Sequence, residues 1–313
     1  MRKFYFALIS FFSFYLLGSN QNSKSQFDEV YPDARGKTLT LKNKPRRIVS
    51  ASIASDEILW LILNKAKNLD SLVGVSYLAT QDRYSHISTE VESVPHKVGI
   101  SLESYVKAKP DLLVLASFNR PELIQQIEQL SMPVYVLNDF REINDIVIAI
   151  RALSSLVGEK EAGKLIEKEF IEQLKKLKEN ASAHKNHPKL LSIVGEQAVM
   201  GKGTLFDAML RYSGAVNASS HLDLYGWPKL GDEALIMLNP DYLVVPEEGA
   251  QNKDLLATLK RRPSTRDWNA VKKCALIRIP GRNLSAASPF ILEGILRIRS
   301  QLANTSFGSV CGN

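Results

Sequence analysis

One short motif that occurs twice constrains this chain more than any other feature. Leu102-Glu103 is followed by Lys109-Pro110-Asp111 and an apolar run to Leu115. Asp232-Glu233 is followed by Asn239-Pro240-Asp241 and an apolar run to Val245. In both copies the glutamate stands seven positions before the proline (103 to 110, 233 to 240). Proline cannot continue a helix and turns the residue before it toward extended backbone. Each copy therefore reads as a short helix, stopped at the proline and feeding a buried strand. Flanking strands and helices recur in the same order. Arg47-Ile48-Val49-Ser50, Val73-Gly74-Val75, Asp111 to Leu115 and Val134 to Leu137 read as strands of the first half. Leu190 to Val194, Tyr242 to Val245 and Leu276 to Ile279 read as strands of the second. Strands alternating with helices predict an α/β fold with parallel sheets covered by helices, and the repetition predicts two lobes of one design.

Between the halves lies a helical stretch. Ile143 to Leu156 carries apolar residues at helical spacing, Gly158 interrupts it, and Glu159 to Leu177 continues with Leu165, Ile166, Phe170, Ile171, Leu174 and Leu177 on one face. The expected organisation is an N-terminal lobe over 26–142, a connecting helix and linker over 143–187, and a C-terminal lobe over 188–313. A stiff helical connection argues for limited opening and closing of the lobes.

The first 25 residues have a different character. Arg2 and Lys3 precede a run from Phe4 to Leu17 that only Ser10 and Ser13 break, and small polar residues follow. This is the pattern of a secretory signal peptide. A run of this length falls short of the roughly 20 residues that span a bilayer, so cleavage near Ser25 is favoured over an uncleaved anchor. No cysteine near the cut could accept a lipid. Residues 1–25 carry three of the 40 basic residues and none of the 33 acidic ones, so the net charge falls from +7 to 37 − 33 = +4. The basic residues are dispersed, and Arg261, Arg262 and Arg266 have no aromatic ladder beside them, so nucleic-acid binding has no support. The chain is expected to act as a monomer.

Catalytic patterns are missing. There is no G-x-S-x-G, Walker A loop or H-E-x-x-H, and no cofactor, metal or catalytic set is expected. Gly201-Lys202-Gly203-Thr204 before a helix could cradle an anion but reads better as a tight turn. Cys274 reads either as a small buried residue or as one end of a disulfide to Cys311. The loops that follow strands are richer. They offer Tyr77, Tyr84 and His86 after the second strand, Phe118 after the strand ending near Ser117, and Arg282 after the last strand. Trp227, between Gly226 and Pro228, lies just before the second copy of the motif. Parallel α/β sheets bind ligands beyond the carboxyl ends of their strands, so these six residues are the candidate ligand contacts. Trp268 reads as a structural anchor.

Taken in order, these segments resemble the substrate-binding proteins of ABC importers for cobalamin and iron-siderophores. The resemblance runs from Arg47 to the end. Beyond the strands and the two proline motifs, it rests on Met132-Pro133-Val134, Trp227-Pro228 with Glu233, and Trp268-Asn269-Ala270-Val271. It implies two lobes on a rigid helix that clamp one metal-chelate ligand and deliver it, in the periplasm, to an ABC permease of the inner membrane. It also implies that Glu103 and Glu233, one per lobe, dock onto arginines of that permease. Haem is a variant ligand, with Tyr77, Tyr84 or His86 as axial group. Two features depart from the family. The lipid-anchor cysteine of many members is absent, which favours a Gram-negative periplasm. Arg282 stands where some cobalamin binders have an acid, which suits carboxylate or catecholate oxygens.

Overall fold

The computed structural model describes residues 31–181, 187–195, 197–248 and 251–303. The leader expected at 1–25, His184 in the linker and Cys311 lie outside the described residues.

The N-terminal lobe contains, in chain order, β1 (Ile48–Ser50), α1 (Ile53–Lys65), β2 (Leu72–Ser76), β3 (His96–Val98), α2 (Leu102–Ala108), β4 (Leu112–Ala116), α3 (Pro121–Gln129) and β5 (Val134–Leu137). Its five strands are all parallel, in the order β3-β2-β1-β4-β5. Every residue of β1, β2, β4 and β5 is buried, as expected of strands covered on both faces. The chain winds outward from β1 in both directions. Such a switch point leaves a crevice beyond the carboxyl ends of the central strands.

Two helices follow, α4 (Ile143–Leu156) and α5 (Lys160–Ala181). Gly158 separates them at φ +68°, a conformation that favours glycine. Thus the expected connecting segment is two helices. Of these, α4 packs on α1 inside the first lobe, while α5 reaches α1 in one lobe and α6 (Leu205–Ser213) in the other. At 1.5 Å per residue α5 is about 33 Å long. Its Ile166, Phe170, Leu174 and Leu177 are buried, but Leu165 and Ile171, expected on the same face, are exposed.

The C-terminal lobe begins with β6 (Lys189–Leu191), β7 (Ile193–Val194) and β8 (Ala198–Val199). After α6 come β9 (Val216–Asn217), α7 (Asp232–Leu238), β10 (Tyr242–Pro246), α8 (Gln251–Arg261), α9 (Asn269–Lys272), β11 (Leu276–Ile279), α10 (Gly281–Leu284) and α11 (Ile291–Ala303). Four strands form a parallel sheet ordered β11-β10-β6-β9, and β7 and β8 form a separate antiparallel ribbon. The strand expected over Leu190 to Val194 therefore breaks at Ser192. Its carbonyl accepts a hydrogen bond from the Met200 amide at 3.2 Å, turning the chain out of the sheet.

The repeated motif has one structural meaning in both lobes. Helices α2 and α7 are each seven residues long and end in left-handed residues, Lys109 (φ 48°) and Asn239 (φ 33°). The aspartate after each proline pins its lobe together. Asp111 accepts the amides of Arg46 and Arg47 at 2.8 Å, and Asp241 accepts that of Lys189 at 2.9 Å. Trp268 is buried against α7, its indole N–H donating to the Leu235 carbonyl at 2.8 Å. Cys274 is disulfide-bonded.

A single apolar cluster runs through both lobes. It joins Ile48, Ile62 and Leu112 of the first lobe to Phe170 and Leu174 of α5, and these to Leu190, Met209, Ile277 and Ile295 of the second. Separate small clusters sit beneath α7 and beneath α2 and α3.

Candidate functional site

A cleft of about 1040 Å³ opens between the lobes. In the first lobe its wall is built at the crevice that the strand order creates. The carboxyl ends of β1, β2 and β4 deliver Ala51-Ser52, Ser76-Tyr77 and Ser117-Phe118, and the segment after β5 adds Phe140 and Arg141. In the second lobe the wall comes from the segment between β8 and α6, from the loop carrying Tyr225 to Trp227, and from Leu284, which ends α10, with Ser285 and Ala287 after it.

Local hydrogen bonding fixes these loops. Ser52 caps α1, its Oγ accepting from the Ser55 amide. The Gly201-Lys202-Gly203-Thr204 segment zips against the Tyr225 loop. Gly201 N donates to Gly226 O at 2.8 Å, Lys202 N to Leu224 O at 2.7 Å, and Gly226 N to Lys202 O at 2.9 Å. A Cβ on Gly201 would stand 2.4 Å from the Leu224 carbonyl oxygen, so only glycine permits this approach. The amides of Gly201 and Lys202 are thus taken up by carbonyl partners, as in the tight-turn reading of this segment. Lys202 itself pairs with Asp223 at 2.5 Å and lies 5.7 Å from the centre of the Tyr225 ring.

Three of the six expected contact residues face this cleft. Tyr77 is 58% exposed, Phe118 74% and Trp227 58%, and Tyr225 joins them at 66%. Large aromatic groups so exposed on opposing walls form a ready apolar platform. Its charged lining residues are three, Lys202, Arg141 and Asp139, the last accepting a hydrogen bond from Ser117. Among the described residues, no three His, Cys, Asp or Glu side chains cluster as metal ligands.

The other three lie elsewhere. Tyr84 sits outside the cleft wall, with the Arg83 guanidinium 4.8 Å from its ring centre. His86 is buried at the lobe boundary. Its Nδ1 is 2.9 Å from Glu57 Oε1, its Nε2 is 3.0 Å from Asn283 Oδ1, and its ring stacks on Phe290. Arg282 is turned toward the first lobe, where it pairs with the Asp82 carboxylate and donates to the Asp82 carbonyl at 3.0 Å. His86 and Arg282 thus join lobe to lobe. Their sequence positions after strands gave no sign of this, because the partners that carry the link, Asn283 and Phe290 for His86 and Asp82 for Arg282, come from the opposite half of the chain.

The sequence places Asp56 and Glu57 at the start of α1, where acids suit a helix N-terminus, but gives no sign that both are fully buried. Glu57 accepts from the His86 amide (2.9 Å), His86 Nδ1 and, across the boundary, Ser288 Oγ (2.5 Å). Asp56 lies under the cleft floor, accepting from Ser76 N at 3.2 Å and Ser76 Oγ at 2.5 Å. Complete burial pushes the Asp56 carboxyl up to about 7, against the opposing pull of its hydroxyl and amide donors. Its ordinary value is 3.8, so the folded protein holds this proton more tightly than the unfolded chain does. That contribution to stability is complete below about pH 4 and is lost as pH rises toward 7. Urea unfolding is expected to show stability from this source falling by up to about 1.4 kcal/mol per pH unit across that window. Asp56→Asn should flatten the decline, and an unchanged profile would refute the assignment.

Glu103 and Glu233 are both exposed, each in the first turn of its helix.

A family model described as "Periplasmic binding protein" matches residues 48–282. An uncharacterized ABC transporter substrate-binding lipoprotein of Bacillus subtilis, YvrC, is 27% identical over 296 residues, covering 90% of this chain and 89% of the relative. A vitamin B12-binding protein of Pectobacterium atrosepticum is 26% identical over 266 residues, covering 83% and 89%. The solved periplasmic haem-binding protein RhuT of Roseiflexus, in its apo form, superposes with a TM-score of 0.67 at 19% identity, covering 82% of this chain and 98% of that one. With its two parallel-sheet lobes, its interlobe cleft and a family match across both, the chain belongs to the periplasmic binding protein family and is a substrate-binding protein of the ABC-transporter kind.

Proposed function

We propose that the protein captures a bulky metal chelate, a corrinoid or a ferric siderophore, in the interlobe cleft. It delivers this ligand in the periplasm to an ABC permease of the inner membrane, with Glu103 and Glu233 as docking groups. The carrying observation is the cleft's size together with its four exposed aromatic side chains. Ligand pockets for drug-sized molecules run to about 1,000 Å³, so this cleft suits a large, flat ligand. A cation with six waters, each taking about 30 Å³, would fill only about 180 Å³ of it. The sequence likeness to a vitamin B12-binding protein supports the corrinoid reading. A second reading, haem, is favoured by the phenols of Tyr77 and Tyr225 in the cleft, either of which could supply an axial oxygen. His86 is engaged at both ring nitrogens by Glu57 and Asn283, which argues against it as the axial group.

Titration calorimetry and absorption spectroscopy with cyanocobalamin, a ferric hydroxamate siderophore, a ferric catecholate siderophore and haemin test this. One of the chelates is expected to bind with a dissociation constant near or below about 1 μM, roughly −8 kcal/mol. Tight zinc or manganese binding with no response to any chelate would overturn the reading. A Soret shift on haemin addition, lost in Tyr77→Phe or Tyr225→Phe, would select the second reading over the first.

A further inference from the structure

Beneath the floor of the cleft runs a chain of serine hydroxyls that ends on a buried acid. Ser50 closes β1, Ser52 caps α1, and Ser55 and Asp56 lie in the first turn of that helix. Ser50, Ser55 and Asp56 are fully buried, whereas Ser52 lines the cleft. Ser50 Oγ donates to Ser55 Oγ at 2.7 Å, and Ser55 Oγ donates to the Ser52 carbonyl at 3.0 Å. The Ser52 and Ser55 hydroxyl oxygens are 2.7 Å apart. At its inner end the chain meets the Asp56 carboxyl, which bonds the Ser50 hydroxyl. The same carboxyl holds Ser76, whose Oγ accepts from the Ala79 amide at 3.3 Å and so caps the turn carrying Tyr77. The charged group that acts on Asp56 is Glu57, next on α1 and itself bonded to His86 and Ser288. From β1 and from the turn after β2, Asp56 is met by the hydroxyls of Ser50 and Ser76 and by the Ser76 amide.

Resting on the cleft being the ligand site, as proposed above, we infer that Asp56 is a positioning residue for ligand binding: through Ser76 it sets the Tyr77 turn, and through the serine chain it decides which way the Ser52 hydroxyl points. A hydroxyl has one hydrogen to give. The Ser76 amide and hydroxyl both give theirs to Asp56, so a neutral Asp56 needs an acceptor for its own proton, and Ser50 Oγ is in reach. Every hydrogen then runs outward, from Asp56 to Ser50, from Ser50 to Ser55 and from Ser55 to the Ser52 carbonyl. The Ser52 hydroxyl hydrogen is left free for a ligand oxygen in the cleft. An ionised Asp56 can only accept. The Ser50 hydrogen turns back to it, Ser55 Oγ loses its donor, and the Ser52 hydroxyl turns inward to replace that donor. Burial holds the Asp56 carboxyl near 7, so both arrangements are populated around neutral pH. The neutral acid favours the ligand, and by reciprocity a bound ligand tightens the hold of Asp56 on its proton.

The test starts with the ligand-free mature protein, isotope-labelled for amide resonances. Between about pH 5.5 and about pH 8.5, the signals of Ser52, Ser76 and Ala79 are expected to move together, with a midpoint of about 7. Asp56→Asn keeps the shape and binds no proton in this range, so these movements should vanish. Ser50→Ala cuts the chain and should abolish the Ser52 movement while leaving those of Ser76 and Ala79. Calorimetry with cyanocobalamin, the two ferric siderophores and haemin reads the consequence. Measured relative to Asp56→Asn, which cancels any titration of the ligand, parent affinity should fall about two- to tenfold across the range, the worth of one hydrogen bond. Static Ser52 and Ser76 signals, or an equal pH dependence of affinity in parent and Asp56→Asn, would overturn the inference. A parent that bound none of these chelates would instead remove the chelate reading of the cleft, and not the coupling, which the amide signals decide by themselves.

Discussion

Replacing Glu57 by alanine is expected to lower stability by about 3–5 kcal/mol, the cost of opening a buried polar network from its centre. Glu57 is fully buried, and its carboxyl group is the common acceptor for the His86 amide, His86 Nδ1 and Ser288 Oγ. Alanine leaves all three donors in a site closed to water. Each stranded donor costs about 1–3 kcal/mol, and the empty volume adds to the loss. Ser288 belongs to the second lobe, so the same change severs a tie between the halves. At about 2–4 °C per kcal/mol for chains somewhat smaller than this one, melting should fall by about 10 °C. Glu57→Gln keeps an oxygen acceptor and should lose far less. Calorimetric or urea unfolding of the two variants distinguishes the outcomes, and a Glu57→Ala protein within about 1 kcal/mol of the parent would show that the network carries little.

Truncating Trp227 to alanine is expected to weaken chelate binding about 30- to 1000-fold, or roughly 2–4 kcal/mol, the range of aromatic anchors at binding surfaces. Its indole is more than half exposed, and the neighbouring loop is held by the Gly201–Gly226 and Gly226–Lys202 backbone hydrogen bonds. Loop position should therefore survive, and stability should move by no more than about 0.5 kcal/mol. Phe118→Ala on the facing wall should act in the same direction. Tyr84→Ala, altering a side chain outside the cleft wall, should leave affinity close to the parent's. Calorimetry with the chelate that binds the parent decides this. Unchanged affinity in a Trp227→Ala, Phe118→Ala double variant would place the ligand somewhere other than this cleft.

The duplicated proline motif was legible because its cause is local. A left-handed helix end, a proline and a strand-pinning aspartate lie within a few residues of one another, and all three leave a mark on the sequence. The long apolar strands β4 and β10 were legible for the same reason. Strand β3 was not, since His96-Lys97-Val98 carries no apolar run and exists only because β2 offers it an edge. The ribbon of β7 and β8 was hidden too, because the break at Ser192 depends on a bond from Met200. At the site, Tyr77 and Phe118 could be found because each stands directly after a strand's carboxyl end, and Trp227 because it sits between Gly226 and Pro228 in a loop, whereas Tyr84, farther along the loop after β2, falls outside the wall. His86 and Arg282 occupy loops of the same kind, and their composition is no different. Only the docking of one lobe on the other, with Asn283, Phe290 and Asp82 brought within reach, turns them away from the cleft.

The apolar cluster that passes through α5 has a thermodynamic consequence for how cargo is handled. A protein whose binding-competent form is a minority has its apparent affinity reduced in proportion to that minority. Here the two walls of the cleft are attached to one shared core, and ties such as Lys65 to Glu169 and Arg299 to the Leu177 carbonyl brace the connecting helix from both lobes. Such a frame keeps the receptive shape populated before any ligand arrives, so binding energy goes to retention instead of reorganisation. The same rigidity works against letting go, since walls joined through one core part only a little on their own. The work of parting the walls then has to come from whatever the mouth of the cleft is pressed against, which makes unloading a property of the pair and not of the carrier alone.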